Sequence, residues 1–351
     1  MANIKYIPGL DGLRAISVCL VMVSHAGFGH LVPGGLGVTI FFFLSGYLIT
    51  TLLVDEFERN QSIHIPHFYG RRFLRLFPPL GISLSIAYSL FLFGIIAGGA
   101  SLWGFLAQVL YCANYYVIFG PGNVPAGTGI LWSLAVEEHF YLLYPVCFLL
   151  MSRYFTKRKT IAVLALACVL VLSWRMVLVY RYGVSEFRTY YATDTRIDSI
   201  IFGCILAIAK NPVNFSGNSE RLRVRDYLIC GLGLGALLFT LLYRDPRFRE
   251  SIRYSIQGAA LLPMFYYTVS RSRHPLFRWL NLAPLRKLGV YSYSIYLIHY
   301  VFLNALSRAG LDLGNNYLTV VEVAAVSIAY AALLNRYIDR PCARLRHKLR
   351  D

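Results

Sequence analysis

The chain is expected to fold as an all-α polytopic membrane bundle of about ten transmembrane helices, with a re-entrant segment near 101–130. Three observations predict it. Of 351 residues, 57% are hydrophobic and the mean hydropathy is +0.55, whereas soluble domains are about 45–50% apolar. The excess sits in repeated blocks of about 20 residues, the length that crosses a bilayer as a helix. These blocks do not alternate polar with apolar residues, as barrel strands would. Within hydrocarbon each backbone group must find its partner inside the segment, so such blocks must be helical.

The blocks fall roughly at 13–30, 36–54, 79–99, 131–151, 161–180, 197–209, 227–243, 254–270, 288–306 and 317–335. A further apolar block, 102–119, runs into Gly120, Pro121, Gly122, Pro125, Gly127 and Gly129, a stretch that cannot be helix interior. Basic residues decide the direction of threading, because cytoplasmic loops carry excess Lys and Arg. With the N-terminus inside and 101–130 re-entrant from the outer side, 24 basic residues fall inside and eight outside. A full crossing by 102–119 would flip every later loop and erase that bias. Both termini are therefore expected to be cytoplasmic. Irregular backbone at membrane depth survives only against protein or a wet cavity, so the re-entrant segment implies a cavity open to the outer face. No linker or repeat is visible, and 1–351 reads as one integral-membrane domain.

The net charge is +17, which the positive-inside bias explains better than nucleic-acid binding does. Seven cysteines are scattered without a CxxC, so neither a disulfide framework nor a metal site is expected. The first ten residues lack the apolar core and cleavage site of a removable signal peptide. A nucleophile elbow, a phosphate-binding loop and a zinc-protease motif are all missing from plausible contexts.

Ionisable residues inside apolar spans point to function, because they are costly there and face the bundle interior or water. In YIPGLDGLRAISVCLVMVSHAGFGH, Asp11 and Arg14 are three apart and share a helix face. Arg14 and His25 are close to three turns apart and share one too. His25 suits a general base, since neutral imidazole takes protons near operating pH; a structural hydrogen bond between helices is the plainer alternative. In FYGRRFLRLFPP, Arg71, Arg72 and Arg75 lie at the inner surface. They are either a topology signal or forks for a phosphorylated cosubstrate. In LWSLAVEEHFYLLYP, Trp132 precedes Glu137 and Glu138. Glu137 shares a face with Tyr141, while Glu138 is expected to point elsewhere. A carboxylate beside His25 would orient its ring, and a helix-joining ion pair is the competing reading. Asn114 lies in the re-entrant block, Arg196 and Asp198 at the outer mouth of the sixth span, and Tyr293 and His299 in the ninth. This buried ionisable set also fits a proton-coupled transporter or flippase, although transporters commonly show two related halves.

Taken in order, GLDGLRA with the Arg14-to-His25 spacing, FFFLSGYLI, RRFLRLFP, WSLAVEEHFYLLYP, TDTRIDSIIFG and SYSIYLIH resemble the acyltransferase 3 family of integral-membrane O-acyltransferases, from Tyr6 to about Pro341. The resemblance implies about ten spans in a bacterial inner membrane. It implies acyl-CoA, most often acetyl-CoA, as cosubstrate and no bound cofactor. The acceptor it implies is a hydroxyl of a glycan or lipid-linked sugar. By this resemblance His25 is the catalytic base, with Glu137 and Asp11 supporting it. Arg14, Arg71, Arg72 and Arg75 bind the donor. Asn114, Trp132, Glu138, Tyr141, Arg196, Asp198, Tyr293 and His299 line the cavity or meet the acceptor. Many relatives append a soluble extracytoplasmic domain; with the sequence closing at Asp351, transfer alone or through a separate partner is expected.

Overall fold

A computed structural model describes residues 6–214, 222–310 and 316–348. Lys5, Arg221 and Arg350, which enter the charge bias, lie outside the described residues. Helices run at α1 (Leu10–Val23), α2 (Gly34–Asn60), α3 (Ile65–Leu92), α4 (Leu102–Val109), α5 (Ala113–Phe119), α6 (Trp132–Tyr154), α7 (Lys157–Met176) and α8 (Glu186–Tyr191). They continue with α9 (Thr193–Lys210), α10 (Val224–Leu242), α11 (Pro246–Glu250), α12 (Arg253–Ser270), α13 (Pro275–Arg278), α14 (Ala283–Arg308), α15 (Asn316–Leu334) and α16 (Arg340–Lys348). Among the described residues there is no strand, only an isolated bridge between Gly98 and Pro125. The chain is an all-α membrane protein.

Each of the ten apolar blocks coincides with a long helix. Seven helical segments among the described residues are long and apolar enough to cross a bilayer, built on α1, α2, α3, α6, α7, α10 and α15. The other three, α9, α12 and α14, carry more polar sequence. Asp194, Arg196 and Asp198 open α9, and Arg286 with Lys287 opens α14. The third block differs most from expectation. Its helix starts at Ile65 rather than near Pro79 and carries Pro78 and Pro79 inside it. Leu76, Leu80, Ser83, Leu84 and Ala87 form one buried stripe through the prolines, and that packing outweighs the missing backbone donors.

The chain divides into two compact units. One comprises Met1–Ala15, Val38–Ile63 and His139–Gly289. In it α9 packs against α7 and α12, and α12 against α10. The other comprises Ile16–Gly37, His64–Glu138 and Val290–Asp351. Its core includes Ala87, Ile96, Ile298 and Val301, with Leu90, Ala126 and Phe302 packed around them.

The block 102–119 forms two short helices, α4 and α5, of eight and seven residues. At about 1.5 Å per residue neither reaches across a hydrocarbon core about 30 Å thick. The chain reverses between them at Tyr111, whose φ is 56°. Gln108 ties the reversal down: its amide donates to Thr128 at 2.7 Å and accepts from Tyr88 at 3.1 Å.

Candidate active site

His25 sits where α1 stops being regular. Ser24–Phe28 forms a π-helical turn, a feature frequent at functional sites, with non-helical backbone at Ala26 and Gly27. Gly27 has φ +99°, and a Cβ there would meet the Asn316 side chain at 2.8 Å. Only glycine serves at that bend. The turn presents His25 to α14. Nδ1 of His25 lies 2.9 Å from Nε2 of His299. The two ring planes are 5° apart with centroids at 5.2 Å, a separation close to the most that such a contact allows. The hydrogen bond therefore lies in the plane of both rings, along the nitrogen lone pair. Tyr300 covers one face of His25, with centroids 4.5 Å apart. Tyr300 is itself backed by the loop before α6. Gly127 there has φ +87°, and a Cβ would come within 2.6 Å of the Tyr300–Val301 backbone.

The orienting place beside His25, expected for Glu137, is taken by His299. Both acids of α6 instead reach Arg72 on α3. Its guanidinium lies 3.8 Å from Glu137 and 3.6 Å from Glu138, with all three side chains less than one-fifth exposed. The expectation that Glu138 points away fails because long side chains one residue apart can converge on one broad fork. Tyr111 and Tyr293 stand beside this cluster, and the Tyr293 hydroxyl donates to the Leu76 carbonyl at 2.9 Å. Arg71 and Arg75 are half-buried on the same helix. Asn114 and Trp132 are buried in this unit. Near Trp132, the Tyr296 hydroxyl donates to the Ile130 carbonyl and pairs with Ser133 at 2.6 Å.

Asp11, Arg14, Tyr141, Arg196 and Asp198 fall in the first unit. Asp11 and Arg14 are half-buried and Tyr141 is buried. Arg196 and Asp198, expected at an open outer mouth, are both fully buried. Asp198 takes a bidentate ion pair from Arg175 at 2.9 and 2.7 Å, together with a hydrogen bond from Ser255. Arg175 also donates to the Ser251 carbonyl. Arg196 lies over the Tyr254 ring at 3.9 Å, beside Tyr190 and Phe42, and donates to Thr39. Burial of the Arg175–Asp198 pair within this hydrogen-bonded network makes it a helix-joining knot.

Residues 7–334 match the family model described as an acyltransferase domain. The chain belongs to the acyltransferase 3 family. It is 32% identical, over 96% of its length, to the peptidoglycan O-acetyltransferase OatA of Listeria monocytogenes, covering 56% of that protein. It is 31% identical over 97% of its length to the O-acetyltransferase OatA of Staphylococcus aureus, covering 58%. A putative peptidoglycan O-acetyltransferase of Bacillus subtilis, YrhL, is 31% identical and covered to 55%. The chain thus spans somewhat over half the length of these relatives. No solved structure matches.

Within this acyltransferase fold, three residues escaped the sequence reading. Tyr300 is not distinguishable in sequence, because an aromatic in an apolar span reads as packing. Tyr111 left no signal, since a positive φ at a non-glycine residue is not written in the sequence. Glu322 did leave one. It is an acid inside the apolar run VVEVAAV of α15, and one of its carboxylate oxygens is buried without a hydrogen-bond partner among the described residues.

Proposed function

We propose that the chain is a membrane O-acetyltransferase that moves an acetyl group from acetyl-CoA to a hydroxyl of a cell-wall glycan. Family membership supports the reaction class, and the names of the bacterial relatives favour a peptidoglycan-like acceptor. The observation that carries the reading is His25. It is an imidazole at the end of an apolar span, with Nδ1 engaged in a hydrogen bond and the ring held by its face. Its Nε2 then remains for chemistry.

In this reading the acceptor hydroxyl gives its proton to His25 as its oxygen bonds to the thioester carbonyl carbon. The C–S bond breaks, and the departing coenzyme thiolate takes back a proton from the imidazolium. No covalent enzyme intermediate is needed. The coenzyme phosphates meet the arginines of α3, where Glu137 and Glu138 hold the Arg72 fork in position. Arg14 and Asp11 keep the donor-side and supporting roles that the family pattern suggests. The chain works as an integral-membrane domain in a bacterial plasma membrane, entered from the cytoplasmic side.

The test is the product. Cell-wall glycan from bacteria lacking the protein, and from the same cells complemented with wild type or His25→Ala, would be analysed by mass spectrometry for alkali-labile acetyl esters. Esters restored by wild type alone support the reading. Esters restored equally by His25→Ala, or absent in all strains, contradict it.

A further inference from the structure

The hydrogen bonds around His299 determine which nitrogen of His25 is free to accept a proton. Nδ1 of His299 lies 2.9 Å from the Tyr296 carbonyl and 3.1 Å from the Ile295 carbonyl. A carbonyl oxygen only accepts, so this nitrogen carries the proton. His299 is fully buried, where a second proton and its charge are costly. In the neutral ring Nε2 is then an acceptor. It faces Nδ1 of His25 at 2.9 Å within the common plane of the two rings. Nδ1 of His25 must therefore be the donor, which leaves the lone pair on Nε2.

We infer that His299 is a positioning residue that locks His25 in the Nδ1–H tautomer, so that Nε2 is the nitrogen that receives the acceptor's proton. The inference rests on the reading of His25 as general base. The lock is needed because an unconstrained histidine favours the opposite tautomer, with its proton on Nε2 and no lone pair aimed at the reaction. The chain of donors ends in helix carbonyls of α14, which cannot give up a proton, so the sense of both hydrogen bonds is fixed. His299 thus does for His25 what a buried carboxylate does in a serine-hydrolase triad, namely orientation and tautomer selection, but without adding a charge to the membrane interior. Tyr300, stacked on His25, keeps the ring in the plane where the bond forms.

The tautomer can be read without substrate. Full-length protein labelled with ¹⁵N-histidine and placed in lipid nanodiscs would be examined by ¹⁵N NMR, the His25 signals being assigned by their loss in His25→Ala. The expected result is His25 with Nδ1 protonated and Nε2 bare, and His299 likewise. A wild-type His25 protonated on Nε2 overturns the inference, whatever the activity. Kinetics provide the second arm. His299→Gln keeps a carbonyl acceptor opposite Nδ1 of His25, whereas His299→Ala keeps none. With purified protein, acetyl-CoA and a chitooligosaccharide acceptor, His299→Ala should lower kcat by at least about 10²-fold with little change in KM for acetyl-CoA. His299→Gln should recover most of that loss. Equal kcat for the two variants, both folded by their NMR spectra, contradicts the lock. Full activity of His25→Ala instead removes the reading of His25 as base, while the tautomer measurement still stands.

Discussion

Two arginines with opposite surroundings show how a single side chain is put to use. Arg175 is fully enclosed, and every partner described for it is protein. Removing its carboxylate strands a buried charge, so Asp198→Ala should cost about 3–5 kcal/mol of stability. Unfolding in detergent would register this as a marked loss of thermal stability, and an unchanged midpoint would contradict the structural role. Arg72 lies between two acids, 3.8 Å from Glu137 and 3.6 Å from Glu138. Arg72→Lys keeps the charge and the topology signal but loses the planar fork. A lost charge-assisted hydrogen bond costs about 1.5–3 kcal/mol, so coenzyme A binding should weaken roughly ten- to over a hundredfold. Isothermal titration with coenzyme A in nanodiscs checks this. Normal binding with failure only toward the acceptor would assign the arginines to the other substrate.

At the scale of elements, the helices position chemistry by where they depart from regularity. α1 carries His25 on a π turn, and the loop before α6 presses on α14 at Gly127. Gly127→Ala adds a methyl group where backbone already sits and requires a left-handed residue, which costs roughly 1–2 kcal/mol before any clash is counted. It should lower thermal stability and turnover together, because Tyr300 and His25 depend on that contact; wild-type turnover would show that the loop does not hold the site. These contacts also mark what the sequence could reveal. The apolar blocks announced the long helices, since block length follows from bilayer thickness, and seven segments among the described residues are long and apolar enough to cross. The interruption after 119 announced the end of that apolar block, since Gly and Pro break helical periodicity, whereas the reversal at Tyr111 that splits the block in two left no signal. His25, Arg72, Glu137 and Glu138 stood out as ionisable residues in or beside apolar sequence. Their pairing did not, because no spacing relates position 25 to 299 or 72 to 137. The sequence pattern therefore pairs Glu137 with His25, whereas tertiary packing sets it beside Arg72. Helix α3 began fourteen residues early for a related reason: its prolines read as a boundary, but its buried stripe continues through them.

For the whole molecule, the 24-to-8 distribution of basic residues predicts that the 55–78 connection faces the cytoplasm and the 120–129 loop faces outward. Single cysteines at Gln61 and Pro121, both exposed, would be placed in a cysteine-free background and probed with a membrane-impermeant maleimide on intact cells. Labelling at 121 but not at 61 is expected, and the reverse pattern would overturn the orientation. In the proposed reaction, His25 removes the proton of the acceptor hydroxyl during transfer from acetyl-CoA. The most direct test is single-turnover transfer of radiolabelled acetyl from acetyl-CoA to a chitooligosaccharide by purified protein in nanodiscs, comparing wild type with His25→Ala. Loss of a general base costs about 10²–10⁴-fold, so the variant should bind coenzyme A normally and form ester at least about a hundredfold more slowly. Ester formation by His25→Ala at the wild-type rate would contradict the account.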